Sequence, residues 1–208
     1  MVYTTMTTIL DLGPAADQVK TLVAGVTDDQ LPAQTPCEGT SVATMLDHFM
    51  GLTKAFHDAA TKTPPPNGAG QPGPGTASET NLDPEWRQRL PEQLDALVAA
   101  WKDPAAWEGM TEAGGVTMPA EMMGLVALDE LVLHGWDLAR GTGQPFTCDA
   151  ASTQACFEFT SRSAEPGEEA AREGLFGPVV EVPPDAPLFD RALGFSGRDP
   201  AWGPATGR

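Results

Sequence analysis

The sequence lacks a long apolar run and a recognisable leader. No stretch of 18 consecutive apolar residues occurs in the 208 residues, and the N-terminus does not have the basic-then-apolar pattern of a signal peptide. These absences argue against membrane insertion and secretion. We therefore expect a cytoplasmic protein.

Cysteine is also scarce. The chain has three cysteines, Cys37, Cys148 and Cys156, which is an odd number without a C-x-x-C spacing. The pattern suggests neither a disulfide framework nor a zinc ribbon, and it is typical of a reducing compartment. No cysteine lies within a helical turn of the metal-ligand candidates described below, so none is assigned to that site, although distant segments can meet in space.

Basic residues are few. The chain has 12 lysines and arginines against 29 acidic residues, which gives a formal net charge of −17. A polyanion would be repelled unless the basic residues formed a concentrated patch, and the sequence contains no such patch. We therefore expect neither nucleic acid nor a membrane surface as a partner.

Helical periodicity dominates what is present. The length suits one domain, residues 1–208, with a single core. Apolar residues at helical spacing predict a helical bundle, with helices near 14–26, 41–61, 83–101 and 119–140 and shorter ones near 149–162 and 188–193. No strand-like alternation is long enough to predict a sheet, so the fold class is all-α.

Two segments rich in proline and glycine interrupt this pattern. Residues 63–76 contain five prolines and four glycines, which predicts a flexible connection between the second and third helices. Residues 163–208 predict an irregular C-terminal extension with only short helical pieces.

Glu130, His134 and Asp137 share one narrow face of the longest helix. At 100° per residue, His134 falls about 40° from Glu130 and Asp137 about 20° on the other side. A charged stripe of this kind usually faces water. Because the side of Asp129 and Arg140 is the better solvent candidate, we expect Glu130 and His134 to point inward, either as a hydrogen-bonded pair or as ligands of a cation.

The second helix carries the other two of the three histidines. His48 lies at the edge of that helix's apolar stripe, where it can reach toward the fourth helix or simply pack in the core. His57 is nine residues further on and therefore lies on the opposite side of the helix. We assign His57 to the surface.

Together, His48, Glu130 and His134 form a candidate ligand set for one divalent metal ion. Two imidazoles and one carboxylate suit zinc best, with nickel, iron and manganese as alternatives, and they leave a coordination position open for chemistry. Asp137, one turn beyond His134, is either a group that orients a ligand or an exposed helix-terminal acid.

Five segments resemble a known family. They are residues 35–39, 45–48, 129–140, 142–144 and 194–202, which read Thr-Pro-Cys-Glu-Gly, Met-Leu-Asp-His, the helix with Glu130 and His134, Thr-Gly-Gln and Gly-Phe-Ser-Gly-Arg-Asp-Pro-Ala-Trp. These segments are similar to the actinobacterial metal-binding proteins of the DinB/YfiT-like superfamily. The N-terminal domain of mycothiol-dependent maleylpyruvate isomerase is among the relatives.

The resemblance implies a four-helix bundle with a long connection between helices 2 and 3, and it implies His48, Glu130 and His134 as the metal ligands. Two features depart from the pattern. Thr40 stands where many relatives have tryptophan, and the chain lacks the full second domain that the isomerase carries. Isomerase activity therefore does not follow from the resemblance.

Under the enzyme hypothesis, the metal site activates a small thiol such as mycothiol toward a small electrophile, in a transferase or isomerase reaction. Arg140 or Arg198 then pairs with a cofactor or substrate carboxylate, or else is a solvated surface arginine. The alternatives are a non-catalytic metal or small-ligand binding protein and a metal-dependent hydrolase. Either a monomer or a homodimer is compatible with the sequence.

Overall fold

Four helices form the core of the fold: α1 (Gly13–Gly25), α2 (Val42–Ala60), α3 (Trp86–Trp101) and α4 (Ala120–Thr142). The computed structural model describes residues 10–64, 77–168, 172 and 174–203. Most of the predicted flexible connection, residues 65–76, lies outside these residues. Among the four core helices, the longest connection joins α2 to α3. The four helices and this connection confirm the predicted four-helix bundle.

Each core helix packs against two of the other three core helices. α2 contacts α3 and α4, and α1 contacts the same two helices, so α1 and α2 lie on opposite corners of the bundle. The large side chains that fill the centre are almost completely buried: Met45, Leu46, Phe49, Leu90, Leu94, Leu97, Trp101, Met123, Leu128 and Leu131. The core therefore consists of the apolar stripes that helical spacing predicts.

Local signals set the ends of the two helices that carry the candidate ligands. Ser41 caps α2, since its hydroxyl accepts a hydrogen bond from the Thr44 amide at 3.2 Å. α4 ends at Gly143, whose φ of 68° is left-handed. The Gln144 amide donates to the Ala139 carbonyl and the Gly143 amide to the Arg140 carbonyl, which is the Schellman pattern.

A short hairpin precedes α4. Strands β1 (Met110–Ala113) and β2 (Val116–Pro119) pair antiparallel around Gly114 and Gly115, which both have positive φ. Two such glycines permit the tight turn that matches the twist of the strands. The expectation that no sheet forms was wrong for this segment, because a Gly-Gly turn can pair strands too short to show an alternating pattern.

In the described part of the chain after α4, two helices have defined bounds: α5 (Ala150–Ser163) and α6 (Leu188–Phe195). α5 packs against both α4 and α6. Leu133 and Trp136 of α4 form a second apolar cluster with Leu193 of α6. The C-terminal extension therefore covers the outer face of α4. No helix in the described ranges is both long and apolar enough to cross a membrane.

Candidate metal centre

Glu130 lies at the centre of the candidate site. Its Oε2 atom is 3.2 Å from His48 Nε2 on α2 and 3.1 Å from His134 Nε2 one turn along α4. The two imidazole rings meet edge to face with centroids 4.7 Å apart. The bundle thus brings together three side chains, although 82 residues separate His48 from Glu130.

The three donor atoms are spaced as metal ligands are. All lie within 4.8 Å of one another, and the two distances to Glu130 are close to the ~3.4 Å that separates two ligands bound at 2.0–2.1 Å to a tetrahedral ion. The three side chains are 14–21% exposed, so the group is accessible from one side. A divalent cation fits this donor set.

His134 is held from behind by Asp137. The Asp137 Oδ2 atom lies 2.9 Å from His134 Nδ1, and Asp137 is completely buried. Because an ionised carboxylate only accepts hydrogen bonds, Nδ1 carries the proton and Nε2 is directed at Glu130. Of the two roles predicted for Asp137, the exposed helix-terminal acid was therefore wrong, and the orienting group agrees with the geometry.

The charges of the group are strongly coupled in the metal-free protein. Burial opposes ionisation of Glu130, but His134 and His48 outweigh it and hold the Glu130 pKa well below its ordinary range. Burial alone lowers the pKa of His134, yet Glu130 and Asp137 raise it to about 10. At neutral pH the metal-free site is therefore an imidazolium between two carboxylates, and a cation has to displace that proton.

A cavity of about 370 Å³ opens above the three candidate ligands. Its walls come from the loop before α2, with Cys37 and Thr40, and from the C-terminal extension, with Leu175. The Thr40 hydroxyl lies 3.5 Å from Cys37 Sγ. The volume is that of a small-molecule site, and the wall combines a thiol, a hydroxyl and apolar groups.

Cys37 also belongs to a second cluster. Its sulfur lies within 4.8 Å of one ring nitrogen of His134 and one carboxylate oxygen of Asp137. Asp137 is already paired with Arg198, whose guanidinium would repel a cation placed there. The first cluster is therefore the better metal candidate, and Cys37 is better regarded as part of the cavity wall.

His57 lies outside the site, as predicted. Its side chain is 38% exposed, and its Nδ1 atom is 3.3 Å from Asp58 Oδ1. Nine residues separate it from His48, which corresponds to about 13.5 Å along the helix axis.

The predicted solvent face of α4 was wrong. Asp129 is only 4% exposed and contacts Cys156 of α5, and burial raises its pKa to about 8. Arg140 donates from Nε to the Trp202 carbonyl at 2.9 Å. The sequence contained a signal against solvent exposure, because Leu133 and Trp136 lie within about 20–40° of this face.

Neither predicted arginine points a free guanidinium at the cavity. Arg140 is engaged by the Trp202 carbonyl, and Arg198 pairs with Asp137 through two nitrogens, Nε at 2.9 Å and Nη2 at 2.7 Å from the carboxylate oxygens. No spacing pattern links Arg198 to Asp137, 61 residues earlier, so the sequence predicted Arg198 either as a partner of a cofactor or substrate carboxylate or as a solvated surface arginine.

The fold and the site together define a DinB-like helical bundle with an accessible His-Glu-His group. Residues 12–139 match the sequence profile of the mycothiol maleylpyruvate isomerase N-terminal domain, and the chain belongs to that family. The matched region contains all three candidate ligands and ends before the C-terminal extension.

One solved structure supports the fold. The crystal structure of the mycothiol-dependent maleylpyruvate isomerase superposes with a TM-score of 0.51, covering 74% of this chain and 70% of that chain at 18% sequence identity. At this identity the likeness establishes the fold alone. No curated protein matches the sequence at a significant level.

Proposed function

We propose that the protein binds one divalent metal ion through His48, Glu130 and His134 and uses it with a small thiol of the mycothiol type. The observation that carries the proposal is the convergence of three donor atoms below an open cavity. Two neutral imidazoles and a carboxylate favour zinc, with nickel, iron and manganese as alternatives.

Each candidate ligand has a role derived from its surroundings. Glu130 supplies the negative charge that offsets the cation. His134 is oriented by the Asp137 carboxylate, and His48 closes the set from the opposite helix. A divalent ion bound there lowers the pKa of a coordinated thiol or water.

Family membership and the cavity favour a thiol as the second component. The profile that matches is named for a mycothiol-dependent isomerase, and the cavity of about 370 Å³ has room for a small thiol and part of an electrophile. We therefore propose a thiol S-transferase or isomerase reaction, in which the thiolate sulfur adds to a carbon–carbon double bond of a small electrophile, the π bond breaks and the other carbon takes up a proton. The adduct is the transferase product, whereas in the isomerase reaction loss of that proton and of the thiolate restores the double bond in the isomer. We also propose that residues 1–208 act as one domain, since the extension lines the cavity.

The surroundings of the site disfavour a metal-dependent hydrolase. That reaction needs a general base beside the attacking water, and Asp47 and Asp137 are the nearest candidates in sequence. Asp137 is fully buried and paired with Arg198, while Asp47 Oδ2 accepts a hydrogen bond from the Ser78 amide at 3.0 Å. Neither Asp47 nor Asp137 lines the cavity, so neither is placed beside a water bound there.

The first test is the metal content of protein purified without chelator or nickel resin. We expect about one equivalent of divalent metal in the wild type and in His57→Ala, and a loss of metal from His134→Ala. His57 is the matched control because it is a histidine on the same helix as His48 but outside the site. Equal loss from both variants, or no metal in the wild type, would refute the ligand assignment.

The second test asks whether a thiol reaches the metal. The cobalt-substituted protein should gain a sulfur-to-metal charge-transfer band on addition of mycothiol or L-cysteine. Turnover is then measured with mycothiol and maleylpyruvate as the first substrate pair. A cobalt spectrum that does not change with either thiol would contradict the thiol-dependent reaction and leave a non-catalytic metal-binding protein as the better description.

A further inference from the structure

The end of α6 fixes the position of Arg198. The Arg198 amide donates to the Leu193 carbonyl, and the Gly197 amide donates to the Gly194 carbonyl, which together form a Schellman motif. Gly197 has a φ of 88°, and a Cβ atom there would lie 2.8 Å from the Gly177 backbone. Glycine at position 197 therefore allows both the turn and the close contact that orient the next residue.

The Arg198 side chain is paired with the Asp137 carboxylate, and its Nη2 atom also lies 3.4 Å from His134 Nδ1. It is 9% exposed, and its Nε and Nη2 atoms form parallel hydrogen bonds to the two oxygens of Asp137. Its Nη1 atom donates to Ser196 Oγ at 3.2 Å, and that hydroxyl donates to the Leu193 carbonyl at 2.8 Å. Planar two-point pairing of this kind is specific to arginine.

Asp137 connects Arg198 to the candidate ligand His134. The oxygen that accepts from Arg198 Nη2 is also the one that accepts the proton of His134 Nδ1. Asp137 is wholly buried, so its charge needs the guanidinium as a partner. The chain Arg198 to Asp137 to His134 is therefore continuous through hydrogen bonds of 2.7 Å and 2.9 Å.

We propose that Arg198 is a positioning residue of the metal centre, which acts through Asp137 to hold His134 with Nε2 toward Glu130. This inference rests on the proposed metal-binding function. It assigns the C-terminal extension a role in the site, since Arg198 lies outside residues 12–139, the part that matches the family profile. The bundle that matches the family profile supplies the candidate ligands, and the C-terminal extension holds one of them, His134, in its orientation.

The test measures zinc affinity by competition with a chelator. Substitution of groups behind a metal ligand lowers affinity about 10–100-fold, and we expect a loss in that range for Arg198→Met. Arg140→Met is the matched control, because Arg140 also ties α4 to the extension, through the Trp202 carbonyl, but does not touch Asp137. The control should remain within about twofold of the wild type.

A double-mutant cycle tests whether Arg198 acts through Asp137. Asp137→Asn should weaken zinc binding by itself, and adding Arg198→Met to it should change the affinity by less than about twofold. An equal loss from Arg198→Met in both backgrounds would overturn the proposal, as would an Arg198→Met affinity within about twofold of the wild type.

Arg198→Met leaves Asp137 as an unpaired buried charge, and this variant can therefore fail to fold. Arg198→Lys keeps the positive charge without the two parallel bonds and serves as the second variant. We expect its affinity to lie between those of the wild type and Arg198→Met. If only the lysine variant folds, an affinity within about twofold of the wild type would overturn the proposal.

A spectroscopic measurement separates this proposal from the proposed metal binding. In the metal-free wild type and in Arg140→Met, the His134 Nδ1 proton should give a low-field NMR resonance that exchanges slowly with water. It should be lost in Arg198→Met or Arg198→Lys. If the wild type binds no zinc, the proposed function fails, and the NMR resonance alone then tests the role of Arg198. Persistence of the resonance in both Arg198→Met and Arg198→Lys would overturn the positioning role.

Discussion

The two halves of α4 are buried for different reasons. The first half packs by shape, since a Cβ atom on Gly124 would lie 2.4 Å from the Trp107 ring and 2.9 Å from the Trp101 ring. The second half buries Asp129 and Asp137 almost completely. Apolar groups need only complementary neighbours, whereas buried carboxylates need partners or a proton.

This difference explains how the other elements are used. Tryptophans from α3 and the segment after it close the first half of the helix. The second half draws polar partners from three separate places: His48 on α2, Cys156 on α5 and Arg198 after α6. We therefore expect substitutions in the first half to change stability equally at all pH values, and substitutions in the second half to change it with pH.

The largest effect is expected for Met123→Ala in the first half. Met123 is 1% exposed, and removing a buried side chain of this size costs about 2–5 kcal/mol of unfolding free energy. Urea unfolding at pH 5 and pH 8 should give the same loss. The exposed Glu121→Gln is the control, at less than about 1 kcal/mol, and a loss for Met123→Ala that depends on pH would contradict the comparison.

Asp129→Asn should produce a pH-dependent change of intermediate size. Burial raises the pKa of Asp129 to about 8, so the folded wild type retains a proton that the unfolded chain releases above about pH 4. The contribution of Asp129 to wild-type stability therefore falls as the pH rises from about 4 to about 8 and is constant above that.

The asparagine variant lacks this titration. Relative to the wild type, its unfolding free energy should improve by up to about 4 kcal/mol between pH 5 and pH 8, because an ionised buried carboxylate with an unsatisfied oxygen is avoided. Urea unfolding at both pH values measures the gap. If the difference in unfolding free energy between Asp129→Asn and the wild type is the same at both pH values, as it should be for Glu121→Gln, then Asp129 does not titrate in this range.

The last expected effect concerns the pH dependence of metal affinity. Since the pKa of His134 is raised to about 10 in the metal-free protein, a cation competes with a proton throughout the neutral range. Apparent zinc affinity should increase about tenfold per pH unit, or about 1.4 kcal/mol. Chelator competition at pH 6.5, 7.5 and 8.5 measures the slope, and His57→Ala should have the same slope. A flat profile would mean that His134 is already neutral.

Much of the fold was predictable because helices are local. Apolar spacing predicted α2 near 41–61, within one residue of Val42–Ala60 at each end, and it predicted the end of α4 near residue 140, two residues before Thr142. Spacing alone also placed Glu130, His134 and Asp137 on one face. Periodicity reports which residues share a face, since the helix repeat is the same in every protein.

The remaining contacts depend on which faces meet. Leu133 and Trp136 signalled that the face of Asp129 is buried, but one helix considered alone does not indicate that α5 and the extension cover it. Cys37 was left out of the site because a loop between two helices has no periodicity to place it. In both cases the deciding neighbour comes from a distant segment.

By itself the sequence determined the helices, their apolar faces and the three candidate ligands, the last with the help of a family resemblance. The tertiary structure alone decided that Arg198 pairs with Asp137 and that Cys37 lines the cavity. The physical reason is range: backbone geometry repeats every few residues, whereas a contact across 61 residues exists only when the packed faces of α4 and the extension bring the two side chains together.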